Sequence, residues 1–333
     1  MPPAPTPTVA KFRDWCLLLL CNFIWASQFA LVKLVQDEVG PLFTTAFPML
    51  LATVLLAPVV WWQRRRPVQL DVAYATSEST AGVRVPARVR GPDIAGFVTI
   101  GLCGQVVAQL FATWGSQQSL ASNAALISLA LPVATALMAF LLLRERMTRL
   151  RWIGFALAIA GVLVSSANDL RTADLRSRSY LWGNSMVFLG VLGSAFYNVY
   201  SKKLLARFTP LEVLLASYIA ACLLLVPVAL IVEPDGLARL ALMSSRGWTG
   251  LLLLAVFQYC ASMILFLTVL TRLDATQAAL SNYLIPMFGV LIAWLLLGER
   301  LQPVAIAGGV LVLASTLLVT VWEERMNARR NAS

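Results

Sequence analysis

The side chains in this sequence that could bind a solute are few, and most are amides, hydroxyls and aromatic rings set inside long apolar runs. Asn22, Trp25, Phe29 and Lys33 share the first run. At 100° per residue, Asn22 and Lys33 point within about 20° of each other, with the other two close by. Gln105, Gln109 and Ser116 make a stripe in the third run, with Thr113 and Trp114 alongside. The fourth carries Asn123 and Ser128, and the sixth Ser194, Tyr197, Asn198 and Lys202. The eighth carries Gln258, Tyr259 and Ser262, and the ninth Gln277, Ser281, Asn282 and Tyr283. An unpaired amide in hydrocarbon costs about 2–7 kcal/mol, so these groups face protein or water. Singly, each reads as glue between helices, worth about 0.6 kcal/mol a contact. Together, polar stripes with an aromatic beside each favour a shared wet cavity for a small-molecule substrate. The candidate binding residues are therefore Asn22, Trp25, Lys33, Gln105, Gln109, Trp114, Asn123, Ser128, Tyr197, Asn198, Lys202, Gln258, Tyr259, Ser281, Asn282 and Tyr283.

What is missing narrows the chemistry. The chain has no histidine, which removes the usual general base, proton shuttle and metal ligand together. No Asp or Glu falls in the middle of an apolar run, so the usual proton-relay residues are absent and facilitated transport or exchange is expected. No Walker motif appears. The five cysteines, Cys16, Cys21, Cys103, Cys222 and Cys260, lie in apolar runs without metal spacing and read as packing residues. No cofactor, no metal and no enzymatic activity are expected.

Long apolar elements must position these side chains. Of 333 residues, 59% are hydrophobic and 13% charged, and the mean hydropathy is +0.78. A soluble domain is nearer 45–50% apolar and about 25% charged. Runs near the ~20 residues needed to cross a bilayer recur throughout, so the fold class is an all-α polytopic membrane protein. Ten spans are expected, at 15–35, 42–62, 93–114, 121–143, 150–167, 181–202, 210–232, 247–270, 276–297 and 303–322. They follow a disordered N-terminus over 1–14 and leave a tail over 323–333. The longest polar stretch, 63–92, reads as a mobile loop.

The spans fall into two copies. Lys33, Pro41 and Pro58 are matched by Lys202, Pro210 and Pro227, each 169 residues later. Pro132, Glu145 and Gly154 are matched by Pro286, Glu299 and Gly308, each 154 later. The repeats are placed at 15–167 and 181–322. In both, a proline bends a long helix that ends in Glu-Arg (Glu145-Arg146, Glu299-Arg300). These pairs read as interfacial anchors, or as gate contacts formed when their side closes. The small residues Gly154, Ala158 and Gly161, and Ala305, Gly308 and Gly309, mark helices five and ten. They suit packing within the bundle or a homodimer through those helices.

Charge gives an orientation. With the N-terminus in the cytoplasm, 19 of the 26 basic residues fall in cytoplasmic segments. Both termini are thus placed on the cytoplasmic side of a plasma (inner) membrane, and the net charge of +10 reflects positive-inside loops rather than a nucleic-acid site. Five spans per copy is odd, so the second copy is inverted, as in many transporters. Lys33 is weighed as a snorkelling lysine or as an attractor of anionic substrate at the outer mouth.

The order Asn22-Phe-Ile-Trp25-Ala-Ser-Gln28, Lys33, Pro41, then Leu120-Ala-Ser-Asn-Ala-Ala, Pro132 and Glu145-Arg146, with Leu297-Gly298-Glu299-Arg300 closing the second copy, resembles the EamA-type drug/metabolite transporters. The resemblance covers about residues 15–322. It implies a ten-helix inverted-repeat fold, alternating access and transport of small metabolites such as amino acids. It also implies a central cavity ringed by helices one, three, four, six, eight and nine. The 63–92 insertion departs from the family's usual short loop. Nucleotide-sugar or lipid-linked-substrate carriage, a membrane transferase and a non-transporting scaffold or receptor are the alternatives.

Overall fold

Proline decides where several helices begin. In the computed structural model, which describes residues 7–65, 89–143, 149–165, 179–265, 284–300, 303–315 and 318, α1 (Pro7–Val35) is followed by α2 (Pro41–Arg65). α7 (Pro210–Val232) opens on proline as α2 does, at a position where the missing N–H has no helical partner to lose. Thr209 completes that start: the Glu212 N–H donates to its hydroxyl at 3.3 Å and its own N–H donates to Glu212 at 2.7 Å. Together these bonds form a capping box. The other helices are α3 (Gly91–Gln118), α4 (Ala121–Leu142), α5 (Arg149–Ser165), α6 (Ser179–Leu205), α8 (Ser245–Leu265), α9 (Leu284–Leu297) and α10 (Pro303–Ser315). All regular structure among the described residues is helical.

Six of these helices, α1 to α4, α7 and α8, are long and apolar enough to cross a membrane. Their outer faces carry large exposed apolar side chains such as Leu223, Ile231 and Leu252, which only a lipid-like surrounding would cover. Exposed tryptophans sit toward helix ends, at Trp61, Trp62, Trp152, Trp182 and Trp294, where an amphipathic ring suits the membrane interface.

The proline in α4 alters the helix locally. Pro132 cannot donate to the Ser128 carbonyl. The helix tightens to 3₁₀ over Ser128–Ala130, and the Leu131 N–H takes that carbonyl instead. The stretch 266–283, ahead of Pro286, lies outside the described residues. So do Glu145, Arg146 and most of 63–92.

The core has two main parts. One joins α2, α7 and α8 around Met49, Leu56, Tyr218, Leu225, Leu251 and Tyr259. The other joins α1, α4, α5, α6, α9 and α10 around Ala26, Phe29, Ile127, Val191, Ile292 and Val312. Small residues let backbones meet. A Cβ on Gly193 of α6 would stand 2.6 Å from the Ala108 amide nitrogen of α3, and one on Gly161 of α5 would stand 2.8 Å from the Gly308 carbonyl of α10. The Gly161 face is therefore packed within the chain.

Paired helix ends show direction. Arg64 at the end of α2 reaches Glu212 at the start of α7 (2.6 Å). Glu233 just past α7 accepts from the Leu42 and Phe43 amides at the start of α2 (3.0 and 3.1 Å). Hence α2 and α7 run antiparallel. Glu299, just past α9, accepts from the Ala121 and Ser122 amides (3.0 Å each) and the Ser122 hydroxyl (2.8 Å) at the start of α4, so α4 and α9 run antiparallel too. Each carboxylate caps orphan N–H groups at a positive helix end. α3 and α6 are tied by Arg207 to Asp93 at one end and Ser119 to Asn184 at the other.

Candidate functional site

Three glutamines meet in the interior of the bundle. Gln258 of α8 donates its Nε2 to Gln28 Oε1 of α1 at 2.7 Å, and Gln28 donates its own Nε2 to Gln109 Oε1 of α3 at 3.2 Å. One turn away, Trp25 Nε1 donates to Ser262 Oγ at 3.0 Å, and Ser262 donates to the Gln258 carbonyl at 2.5 Å. Gln258 and Ser262, at i and i+4 on α8, thus meet Trp25 and Gln28, at i and i+3 on α1. Gln258 is buried and its Oε1 has no partner among the described residues. An unmet buried acceptor of this kind costs about 1–3 kcal/mol, so it favours any solute or water that brings a donor.

Backbone register helps to present these groups. α3 widens to a π-helix over Ile100–Val106 and α8 over Leu254–Ala261. Leu254 is Ile100 displaced by 154, the offset of the prolines. Each π segment carries candidate residues, Gln105 in the first and Gln258 with Tyr259 in the second. Such turns re-aim side chains and concentrate at functional sites.

The other sequence candidates divide. Asn22 and Gln105 are buried, and Tyr197 lies beside Gln105 and Ser217. Tyr259 is buried, its carbonyl accepting from the Tyr218 hydroxyl at 3.1 Å. Asn123 is buried with its Oδ1 unpartnered among the described residues. Ser128 bonds back to the Ala125 carbonyl at 2.6 Å and serves the 3₁₀ turn. Lys33 Nζ donates to the Gln117 carbonyl at 3.0 Å, near the α1 end. Trp114, Asn198 and Lys202 are exposed and make no bond to the glutamines. Ser281, Asn282 and Tyr283 lie outside the described residues, as does Gln277.

Sequence reasoning missed Gln28 as a candidate. On a helical wheel it stands roughly 120° from Asn22, off the stripe that ran to Lys33. Its only signal was a polar residue i+3 from Trp25. Glu299, at its helix exit, caps the start of α4.

The EamA-like transporter family model matches residues 15–167 and again residues 181–321. The chain belongs to the EamA-like transporter family. As a member it is a multi-pass membrane protein and a small-molecule transporter, not an enzyme. It is 28% identical over 320 residues to a probable terminal-alkyne amino-acid exporter of Streptantibioticus cattleyicolor, covering 96% of each chain. It is 23% identical over 304 residues to an uncharacterized transporter of Archaeoglobus fulgidus, covering 91% of this chain and 96% of that one. It is also 23% identical over 223 residues to an S-adenosylmethionine uptake transporter of Rickettsia felis, covering 66% and 70%. A crystal structure described only as that of a protein superposes with a TM-score of 0.59 at 16% identity, covering 94% of this chain and 98% of that one. That likeness concerns the fold.

Proposed function

We propose that this family member is a ten-span carrier that moves amino acids or related polar solutes by alternating access, as a facilitator or exchanger. The observation that carries the reading is the amide chain Gln109–Gln28–Gln258. It joins helices of both sequence copies and presents hydrogen-bonding capacity without fixed charge. A zwitterion or neutral polar solute meets matched dipoles there and leaves no buried ion behind. The cargoes named for the exporter and the uptake transporter, an amino acid and S-adenosylmethionine, both carry an α-amino-acid group.

Inverted duplication is supported by helix direction. α2 and α7 are repeat-equivalent by offset 169, α4 and α9 by offset 154, and each pair runs antiparallel. Contacts repeat across the copies: α1 packs on α9 as α6 does on α4, and the α8 π segment packs on α2 as the α3 π segment does on α7. Two bodies related this way can rock about a shared seam. The placement of both termini in the cytoplasm of a plasma membrane, and a homodimer through the outer faces of α5 and α10, belong to the same proposal.

Flux of radiolabelled amino acids into proteoliposomes tests it. Gln28→Leu strands Gln109 Oε1 and Gln258 Nε2 and should lower flux at least about tenfold, equivalent to about 1.4 kcal/mol on the barrier, while the protein still elutes as a folded species. Unchanged flux in that variant would count against the seam as the pathway. Absence of flux for every amino acid would favour the scaffold alternative.

A further inference from the structure

A second polar site lies away from the glutamines, where α1 ends. A pocket of about 460 Å³ opens there, within the ~300–1,000 Å³ usual for small ligands. Two of its acids are already engaged: Glu299 caps α4, and Glu38 accepts from the Ser244 hydroxyl and amide at 2.6 Å each. The remaining groups keep hydrogen-bonding capacity to spare. Lys33 spends one of its three N–H donors on the Gln117 carbonyl. Arg246 is exposed and makes no hydrogen bond or close salt bridge among the described residues, although its charge acts on Glu38. Gln36 holds a buried Oε1 without a partner, and Asp37 is exposed beside it. Leu34 and Leu297 supply apolar wall.

We propose that this pocket binds a zwitterionic aliphatic amino acid at the mouth of the carrier, separately from the amide chain. Lys33 and Arg246 receive the carboxylate, Asp37 and Gln36 Oε1 receive the ammonium, and Leu34 and Leu297 receive the side chain. Opposite charges facing one small cavity discriminate against a ligand carrying only one of them, because the other protein charge is then left without its partner. The inference rests on the carrier reading for its choice of amino acids. A zwitterionic lipid headgroup shares the charge pattern but has no short aliphatic branch to fill the wall between the two leucines.

The test is equilibrium binding of radiolabelled leucine to the purified full-length protein in detergent. A saturable component should weaken about tenfold or more in Arg246→Gln, recover in Arg246→Lys and persist in Gln28→Leu. Unlabelled leucine should displace it, whereas 4-methylpentanoate and isoamylamine, each lacking one charge, should not. Wild-type binding in Arg246→Gln overturns the proposal, as does displacement by either singly charged analogue as strong as by leucine. Absence of saturable binding up to the solubility limit of leucine also overturns it. Stronger displacement by glycerophosphoethanolamine than by leucine would assign the pocket to lipid instead. Loss of flux in Gln28→Leu without pocket binding would keep the carrier and discard the pocket. Pocket binding with flux untouched by Gln28→Leu would keep the pocket and discard the amide chain as the pathway.

Discussion

Gln28 and Glu38 show how one side chain can tie distant parts of the chain. Gln28 uses both ends of its amide at once, accepting from α8 and donating to α3. Gln28→Glu keeps the size but replaces the donor with a second acceptor. It should repel Gln109 Oε1, bury a charge in the bundle and lower the thermal midpoint by more than Gln28→Leu does. Paired melting curves decide between them. Glu38 ties the end of α1 to the start of α8. Its carboxyl is held below the usual range, chiefly by the Ser244 hydroxyl, then the Ser244 amide, with Arg246 adding to this. A depressed folded-state pKa gives stability that is fully present above the unfolded value, about 4.3. That stability disappears as the pH falls through the folded value. The difference in melting temperature between wild type and Glu38→Ala should therefore be largest near neutrality and close below about pH 4.

The helices carry a different kind of constraint. α3 and α6 approach so closely that any side chain at position 193 meets backbone. Gly193→Val should cost about 1–3 kcal/mol through overpacking, seen as a lower melting temperature. Gly298, by contrast, has φ of +67° and open space around its missing Cβ. Gly298→Asn, a residue that tolerates the left-handed region, should be nearly neutral where Gly298→Val is not. At the start of α4, Glu299→Gln leaves an acceptor but removes the charge facing three donors. A loss of about 0.5–2 kcal/mol is expected from weakened capping, measured by denaturation in detergent.

Across the whole molecule, end-to-end ties recur with exchanged partners. Arg64 meets Glu212, and at the repeat-equivalent positions Glu233 meets the amide of Phe43. The first tie is an ion pair and the second is a carboxylate on a helix start, so the two ends of the α2–α7 pair are held by different chemistry. Removing Arg64 should matter less at high salt, because its partner-facing charge is partly exposed and screened. Removing Glu233 should matter at any salt, because it also exposes two helix N–H groups. Flux and melting curves at two ionic strengths separate these cases. Cysteine labelling of each terminus from outside intact cells should find both protected.

The membrane class and the long apolar helices were legible in the linear pattern, because they depend on composition and period. Runs of apolar residues have no stable option but a helix in lipid, and a rigid offset of prolines survives in one dimension. The family resemblance came from the same ordered motifs, and the double match of the family model agrees with it. The candidate site was legible only in part. Gln109, Gln258 and Trp25 were found because polar residues stand out against apolar runs. Gln28 was not, because a wheel drawn for one helix cannot say which neighbour a side chain will meet. Helix crossing decided that Gln28, off the stripe of its own helix, became the link between the other two glutamines. Packing likewise left Trp114, Asn198 and Lys202 exposed, and it turned Glu299 from a charged helix exit into the cap of a helix 178 residues away from it in sequence. Such pairings depend on distances between helices, and the identities of residues along one chain do not contain them.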